Sequence, residues 1–174
     1  LAKDKVFDLF LKGSGITPFS RFGDGRAILR SSIREYIGAE AMHGLRIPTS
    51  RSLMFFSSSE KVQREQFETA AMIIRTSKSH IRFGNFEYFY YKNDPENLKK
   101  LIDYCFDTYV EFKECDGNIK KLFRQIVHST ASMIASWQAL GFCHGVMNTD
   151  NFNIFGETFD SVSYTHLTLP TSTH

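Results

Sequence analysis

Long apolar runs are missing from this chain: no stretch approaches the ~20 residues that would span a bilayer. A strong charge of either sign is missing too. The 21 Lys+Arg against 19 Asp+Glu leave a formal +2, too near neutral to argue for nucleic acid or an anionic membrane as partner. Cysteine is scarce. Cys105, Cys115 and Cys143 are odd in number and form no CxxC pair, which argues against a disulfide framework or a zinc site and for reduced thiols in a reducing compartment. His43, His80, His128 and His144 are scattered with no HExxH, so a His-based metal site is not expected. Neither a dinucleotide GxGxxG nor a P-loop lysine pattern occurs. The opening Leu1-Ala2-Lys3-Asp4-Lys5 is charged and has no apolar core behind it, so it does not read as a secretory signal. It also lacks an initiating Met, from which a true start further upstream is expected. What remains is ordinary for a globular domain, or a piece of one: 174 residues, 42% hydrophobic, 14% aromatic and 23% charged.

The pattern along the chain predicts an α+β protein, with strands first and helices after. Val6 to Leu11 is a short apolar, strand-like run ended by Lys12 and the glycines Gly13 and Gly15. Gly13 to Arg26 is turn-rich and belongs at a surface or around a ligand. Leu29, Ile33, Tyr36, Ile37 and Ala41 then recur at helical steps, predicting a helix with that face buried and Gly44 as its stop. Leu53–Phe56 and Ala70–Arg75 read as an antiparallel strand pair joined by the polar stretch Ser57–Gln66. Asp94-Pro95-Glu96 is a helix start signal, followed by an apolar face of Leu98, Leu101, Ile102, Cys105, Phe106 and Tyr109. A longer helix is expected after Gly117, burying Ile119, Leu122, Phe123, Ile126, Val127, Met133, Ile134, Trp137 and Leu140 and ending at Gly141. The polar loop Phe142–Asn151 follows, then a short apolar run from Phe152 to Phe155.

Four sets of residues could carry chemistry. Lys12 at a strand end and Glu35 mid-helix suit the lysine–glutamate pair with which protein kinases hold ATP phosphates, although spacing alone favours two unrelated surface residues. Asp150, Asn151 and Asp160 are oxygen donors spaced so that two loops could bring them to one Mg²⁺; Asn148-Thr149-Asp150-Asn151 also reads as a plain turn. Arg75 and Arg82 flank a Ser/Thr-rich stretch, and guanidinium forks bind phosphate bidentately, though a solvated basic patch would look the same. Asp24 and Gly25 could bring backbone N–H groups close to a phosphate or ribose.

Taken as a string, Lys12 to Arg21, Gly23-Asp24-Gly25-Arg26-Ala27, Leu29 to Glu35 and Glu40-Ala41-Met42-His43 resemble the selenoprotein O family of protein adenylyltransferases. Arg75 to Phe86 is similar to that family's nucleotide-gripping segment, and His144 to Asn151 to its catalytic loop. The resemblance implies a partial kinase-like fold over residues 1–160. It implies ATP as substrate, Mg²⁺ (or Mn²⁺) as cofactor, and hydroxyl-bearing proteins as acceptors. By the same resemblance Lys12 contacts phosphates and pairs with Glu35, Asp24 and Gly25 touch nucleotide, and Arg75 and Arg82 hold phosphates. Asp150 is the catalytic base, Asn151 a metal ligand, and Asp160 a second metal ligand beside the nucleotide. ATP would lie turned around relative to kinases, so that AMP moves to Ser, Thr or Tyr and pyrophosphate leaves. Two arginines beside a lysine suit a triphosphate whose charge lies in the pocket.

Departures from the family pattern set further expectations. Only eleven residues precede Lys12, where a glycine-rich loop and strands belong. Residues 161–174 look like translated adapter sequence and form a non-native tail. The chain is thus expected to be an internal fragment, inactive alone, from a cytoplasmic protein if bacterial or a mitochondrial one if eukaryotic. Conventional kinase-type phosphotransfer and a non-catalytic pseudokinase scaffold are the competing functions; His144-Gly145 in place of a kinase His-Arg-Asp favours the scaffold.

Overall fold

The computed structural model describes residues 7–17 and 23–159. It is mixed α+β, with an antiparallel sheet followed by helices. The chain divides into two compact units, a sheet unit (within Leu1–His80, Cys143–Val146 and Thr158–His174) and a helical unit (Ile81–Phe142 and Met147–Glu157).

In the sheet unit the strands are β1 (Asp8–Lys12), β2 (Ala27–Ile28), β3 (Arg51–Gln63) and β4 (Phe67–Ser77), with helix α1 (Leu29–Gly44) between β2 and β3. All three other strands pair antiparallel with β4. β1 takes Ile73–Ser77 and β2 takes Ala70–Ala71, while β3 runs along both stretches. A strand has two edges, so β3 lies on one and β1 and β2 share the other. The expected hairpin is there, but longer than its apolar cores. Most of Ser57–Gln66 is strand, because β4 offers partners that polar residues can use as well as apolar ones.

Alternate β4 residues Ala71, Ile73, Arg75 and Ser77 are buried, the period of two expected of a covered sheet face. α1 forms where its periodicity predicts and ends at Gly44, but it buries Ser32, Glu35, Ala39 and Met42. Ile33, Ile37 and Ala41, on the face expected to be buried, are exposed. A glutamate takes the inward position because buried partners await it, as described below.

The helical unit contains α2 (Phe83–Tyr91), α3 (Pro95–Thr108), the short α4 (Val110–Lys113) and α5 (Ile119–Ala139). α2 and α4 are additions to the expected set. α3 starts as read: Asp94 accepts a hydrogen bond from the Asn97 amide, with Pro95 in the first turn. Its apolar face feeds a core of Cys105, Tyr109, Phe112, Cys115, Leu122 and Ile154, where Phe155 stacks on Phe112 with centroids 4.7 Å apart. α5 buries Leu122, Met133 and Trp137, but Ile119, Phe123, Val127 and Leu140 are exposed. The apolar stripe of α5 is wider than the surface that covers it among the described residues. Residues 152–155 form no strand; Asn153 makes an isolated bridge to Arg82. The three cysteines are free thiols, Cys105 and Cys115 buried and Cys143 exposed. Among the described residues no helix is long and apolar enough to cross a membrane.

Candidate functional site

Glu35 is the hub of the sheet unit. Its Oε2 accepts from Lys12 Nζ at 2.8 Å and its Oε1 from Arg75 Nη1 at 2.8 Å. α1 delivers the carboxylate from its buried face, the end of β1 delivers the lysine, and the buried row of β4 delivers the arginine. Glu35 is 8% exposed and Arg75 1%, while Lys12 remains 36% exposed. Burial would push the Glu35 carboxyl up, but the charges and hydrogen bonds of Lys12 and Arg75 outweigh it and hold it below the ordinary glutamate value. Arg75 Nη2 donates to the Ser50 carbonyl at 2.8 Å. Its Nε is buried with no hydrogen-bond partner, so the guanidinium is held through its two terminal nitrogens alone. Lys12, Glu35 and Arg75 are therefore brought together, with Lys12 the most accessible of the three.

Asp24 is engaged by protein. Arg64 grips it bidentately, Nη1 to Oδ2 at 2.8 Å and Nη2 to Oδ1 at 2.9 Å, and the Arg26 amide donates to Oδ1. The Arg64 and Arg26 hydrogen bonds hold this exposed carboxyl down to about 2. Gly25 has φ +65°, and a Cβ there would lie 2.0 Å from the Gly15 carbonyl oxygen. Only glycine allows that close approach, which the Gly15 N–H to Gly25 carbonyl bond of 3.0 Å closes.

In the helical unit Arg82 and Asp150 meet. Arg82 Nη1 donates to the Asp150 carbonyl at 2.9 Å, and the Asp150 amide donates to Asn148 Oδ1 at 3.1 Å. Gly84 lets the loop come close: its amide donates to the Thr149 carbonyl at 3.0 Å, and a Cβ there would sit 2.4 Å from Asp150 Oδ1. Beyond the loop, buried Asn153 accepts at Oδ1 from the Phe155 and Glu157 amides and donates through Nδ2 to Glu157. Met147, Asn148 and Thr149 line, with Thr130 and Ile134 of α5, an open hollow of about 190 Å³.

Asp160 lies outside the described residues. Among the described residues no group of three His, Cys, Asp or Glu gathers. Adjacent Asp150 and Asn151 supply oxygen donors only, the chemistry of a hard ion that takes one or two protein ligands and completes its shell with phosphate and water. The residues present fit Mg²⁺ on that ground. Sequence reasoning missed Arg64, which holds Asp24; Gly84, which seats Asp150; and Ser50, which caps Arg75. Only Gly84 carried a signal, as the glycine two residues after Arg82, in the first turn of an unrecognised helix.

The sequence profile described as protein adenylyltransferase SelO matches residues 1–169. The chain belongs to that family. It is 55% identical over 162 residues to a protein nucleotidyltransferase YdiU of Pseudomonas entomophila, covering 92% of this chain and 33% of that protein. It is 54% identical over 172 residues to the protein of the same name from Pseudoalteromonas atlantica, covering 95% and 35%, and 55% identical over 159 residues to that of Aeromonas hydrophila, covering 91% and 33%. The chain thus spans about a third of the length of the curated relatives it matches.

Proposed function

We propose that these residues serve, in the full-length protein, an ATP- and Mg²⁺-dependent adenylyltransferase of kinase-like fold that moves AMP from ATP to Ser, Thr or Tyr hydroxyls of proteins. The observation that carries the reading is the Lys12–Glu35 pair at 2.8 Å, with Arg75 on the second oxygen of the same carboxylate. A lysine aimed by a buried glutamate is a fixed positive charge, and phosphoryl-group chemistry depends chiefly on such fixed charge and alignment.

In this reading Lys12 and Arg82 contact phosphate oxygens, Arg75 adds positive charge where Glu35 would otherwise dominate, and Asp24 and Gly25 flank the nucleotide. Asp150 orients the acceptor hydroxyl and takes its proton as the hydroxyl oxygen bonds to the α-phosphorus. The bond from that phosphorus to the bridging oxygen breaks, and pyrophosphate departs. Asn151 and Asp160 would hold Mg²⁺, which when bound supplies charge neutralisation on the phosphates.

The test is the small product of turnover by the full-length protein. Pyrophosphate supports the proposal; ADP in its place returns the kinase reading, and neither product with ATP still bound returns the scaffold.

A further inference from the structure

The loop carrying Asp150 and Asn151 leaves the sheet unit after Val146 and re-enters it at Thr158. The two ends are tied together by side chains. His144 Nε2 lies 3.0 Å from Thr158 Oγ1, with His144 3% and Thr158 0% exposed. The Val146 amide donates to His144 Nδ1 at 3.3 Å. With Nδ1 an acceptor, Nε2 carries the ring hydrogen and donates to the threonine hydroxyl.

Thr158 is also held from the sheet side. Its carbonyl accepts from the Ser50 amide at 3.0 Å, the Thr49 hydroxyl at 3.2 Å and the Ser50 hydroxyl at 3.3 Å. Ser50 in turn gives its own carbonyl to Arg75, which holds Glu35. Phe159 stacks on His80 with centroids 4.9 Å apart, and His80 stacks on Phe10 of β1 at 5.3 Å. Buried polar groups hydrogen-bonded across separate segments in this way rigidify what they join.

We propose that the His144–Thr158 hydrogen bond is a clasp at the neck of this loop, and that both are positioning residues for the ligand Asn151. Asn151 lies inside the clasped loop. The metal part of this inference rests on the nucleotide–metal reading above; the clasp itself does not. Fixing both ends of a loop removes freedom from everything between them, and groups that orient metal ligands from behind weaken binding by roughly 10- to 100-fold when removed.

Two measurements on the full-length protein test it, using Thr158→Val, which keeps the shape and loses the hydroxyl, and Thr158→Ser, which restores it. The first is amide hydrogen exchange without nucleotide. Thr158→Val is expected to speed exchange at residues 146–157 about tenfold, the change worth one buried hydrogen bond, with the β3–β4 amides unchanged and Thr158→Ser close to wild type. Exchange unchanged in Thr158→Val, or faster throughout the sheet, or not restored by Thr158→Ser, overturns the clasp. The second is Mn²⁺ binding, followed by its electron paramagnetic resonance signal with a non-hydrolysable ATP analogue. Thr158→Val is expected to weaken it about tenfold and Thr158→Ser to restore it; equal affinity in all three forms overturns the positioning role. A wild-type protein that binds no Mn²⁺ overturns the metal reading and the positioning role together, and the exchange data then decide the clasp alone.

Discussion

The two carboxylates that matter most here are held in opposite ways. Glu35 is buried, and both its oxygens are taken by cations from separate strands. Asp150 sits on a loop whose main chain does the fixing, its carbonyl on Arg82, its amide on Asn148, with Gly84 packed against it. A buried anion must be compensated by charge or it will not stay ionised. A loop carboxylate near solvent needs only to be aimed. In the proposed reading Glu35 is therefore tied to folding, and Asp150 to chemistry.

The largest expected effect breaks that comparison open. Glu35→Ala leaves Arg75 buried without its counter-charge and should cost about 3–5 kcal/mol in denaturant unfolding of the sheet unit. Asp150→Ala should change stability by less than about 1 kcal/mol while abolishing transfer in the full-length protein. Equal costs for the two would end the distinction.

Gly84→Ala comes next. Its new Cβ would lie 2.4 Å from Asp150 Oδ1, so the aspartate must shift. A misplacement of about 1 Å costs on the order of 100-fold in rate. Steady-state kinetics should show kcat falling by that order, with ATP affinity unchanged.

Acid sharpens the contrast further. Glu35 titrates below its ordinary 4.5 when folded. Its contribution is therefore full above about pH 4.5 and is lost as pH falls through the lower folded value. Fluorescence or circular dichroism during acid titration should show the sheet unit weakening in that window, and an Arg75→Met protein, with Lys12 alone on Glu35, should begin to weaken at a higher pH. Exposed Asp24, held down to about 2, should keep its Arg64 pair until about pH 2, seen as its carboxyl carbon shift by NMR, with little effect on stability.

The smallest effect is Asp94→Ala. Loss of the cap on α3 should cost about 1 kcal/mol in the helical unit, leaving nucleotide affinity alone.

These differences also mark what the sequence could tell. α3 was legible because its cap, its proline and its apolar face agree. α1 was legible as a helix, but not in its orientation. Periodicity follows the apolar residues, whereas the inward face is set by a glutamate whose partners lie 23 and 40 residues away in the chain. β3 and β4 outrun their apolar cores because pairing, not hydrophobicity, extends them. α2 was hidden since its cap is Arg82 with Asn85, outside the usual Ser, Thr, Asp and Asn. The Lys12–Glu35 pair was legible as a candidate, but its spacing alone means little and family resemblance gave it weight. Ser50 and Thr158 gave no signal at all, because a serine or threonine becomes a buried anchor only once the chain has folded around it.

The most direct measurement supplies the full-length protein and an acceptor protein with ATP labelled at the α-phosphate in one reaction and at the γ-phosphate in another. The account predicts that the acceptor carries the α label and not the γ label, and that Asp150→Ala removes it. The γ label on the acceptor, or α labelling that survives Asp150→Ala unchanged, would contradict it.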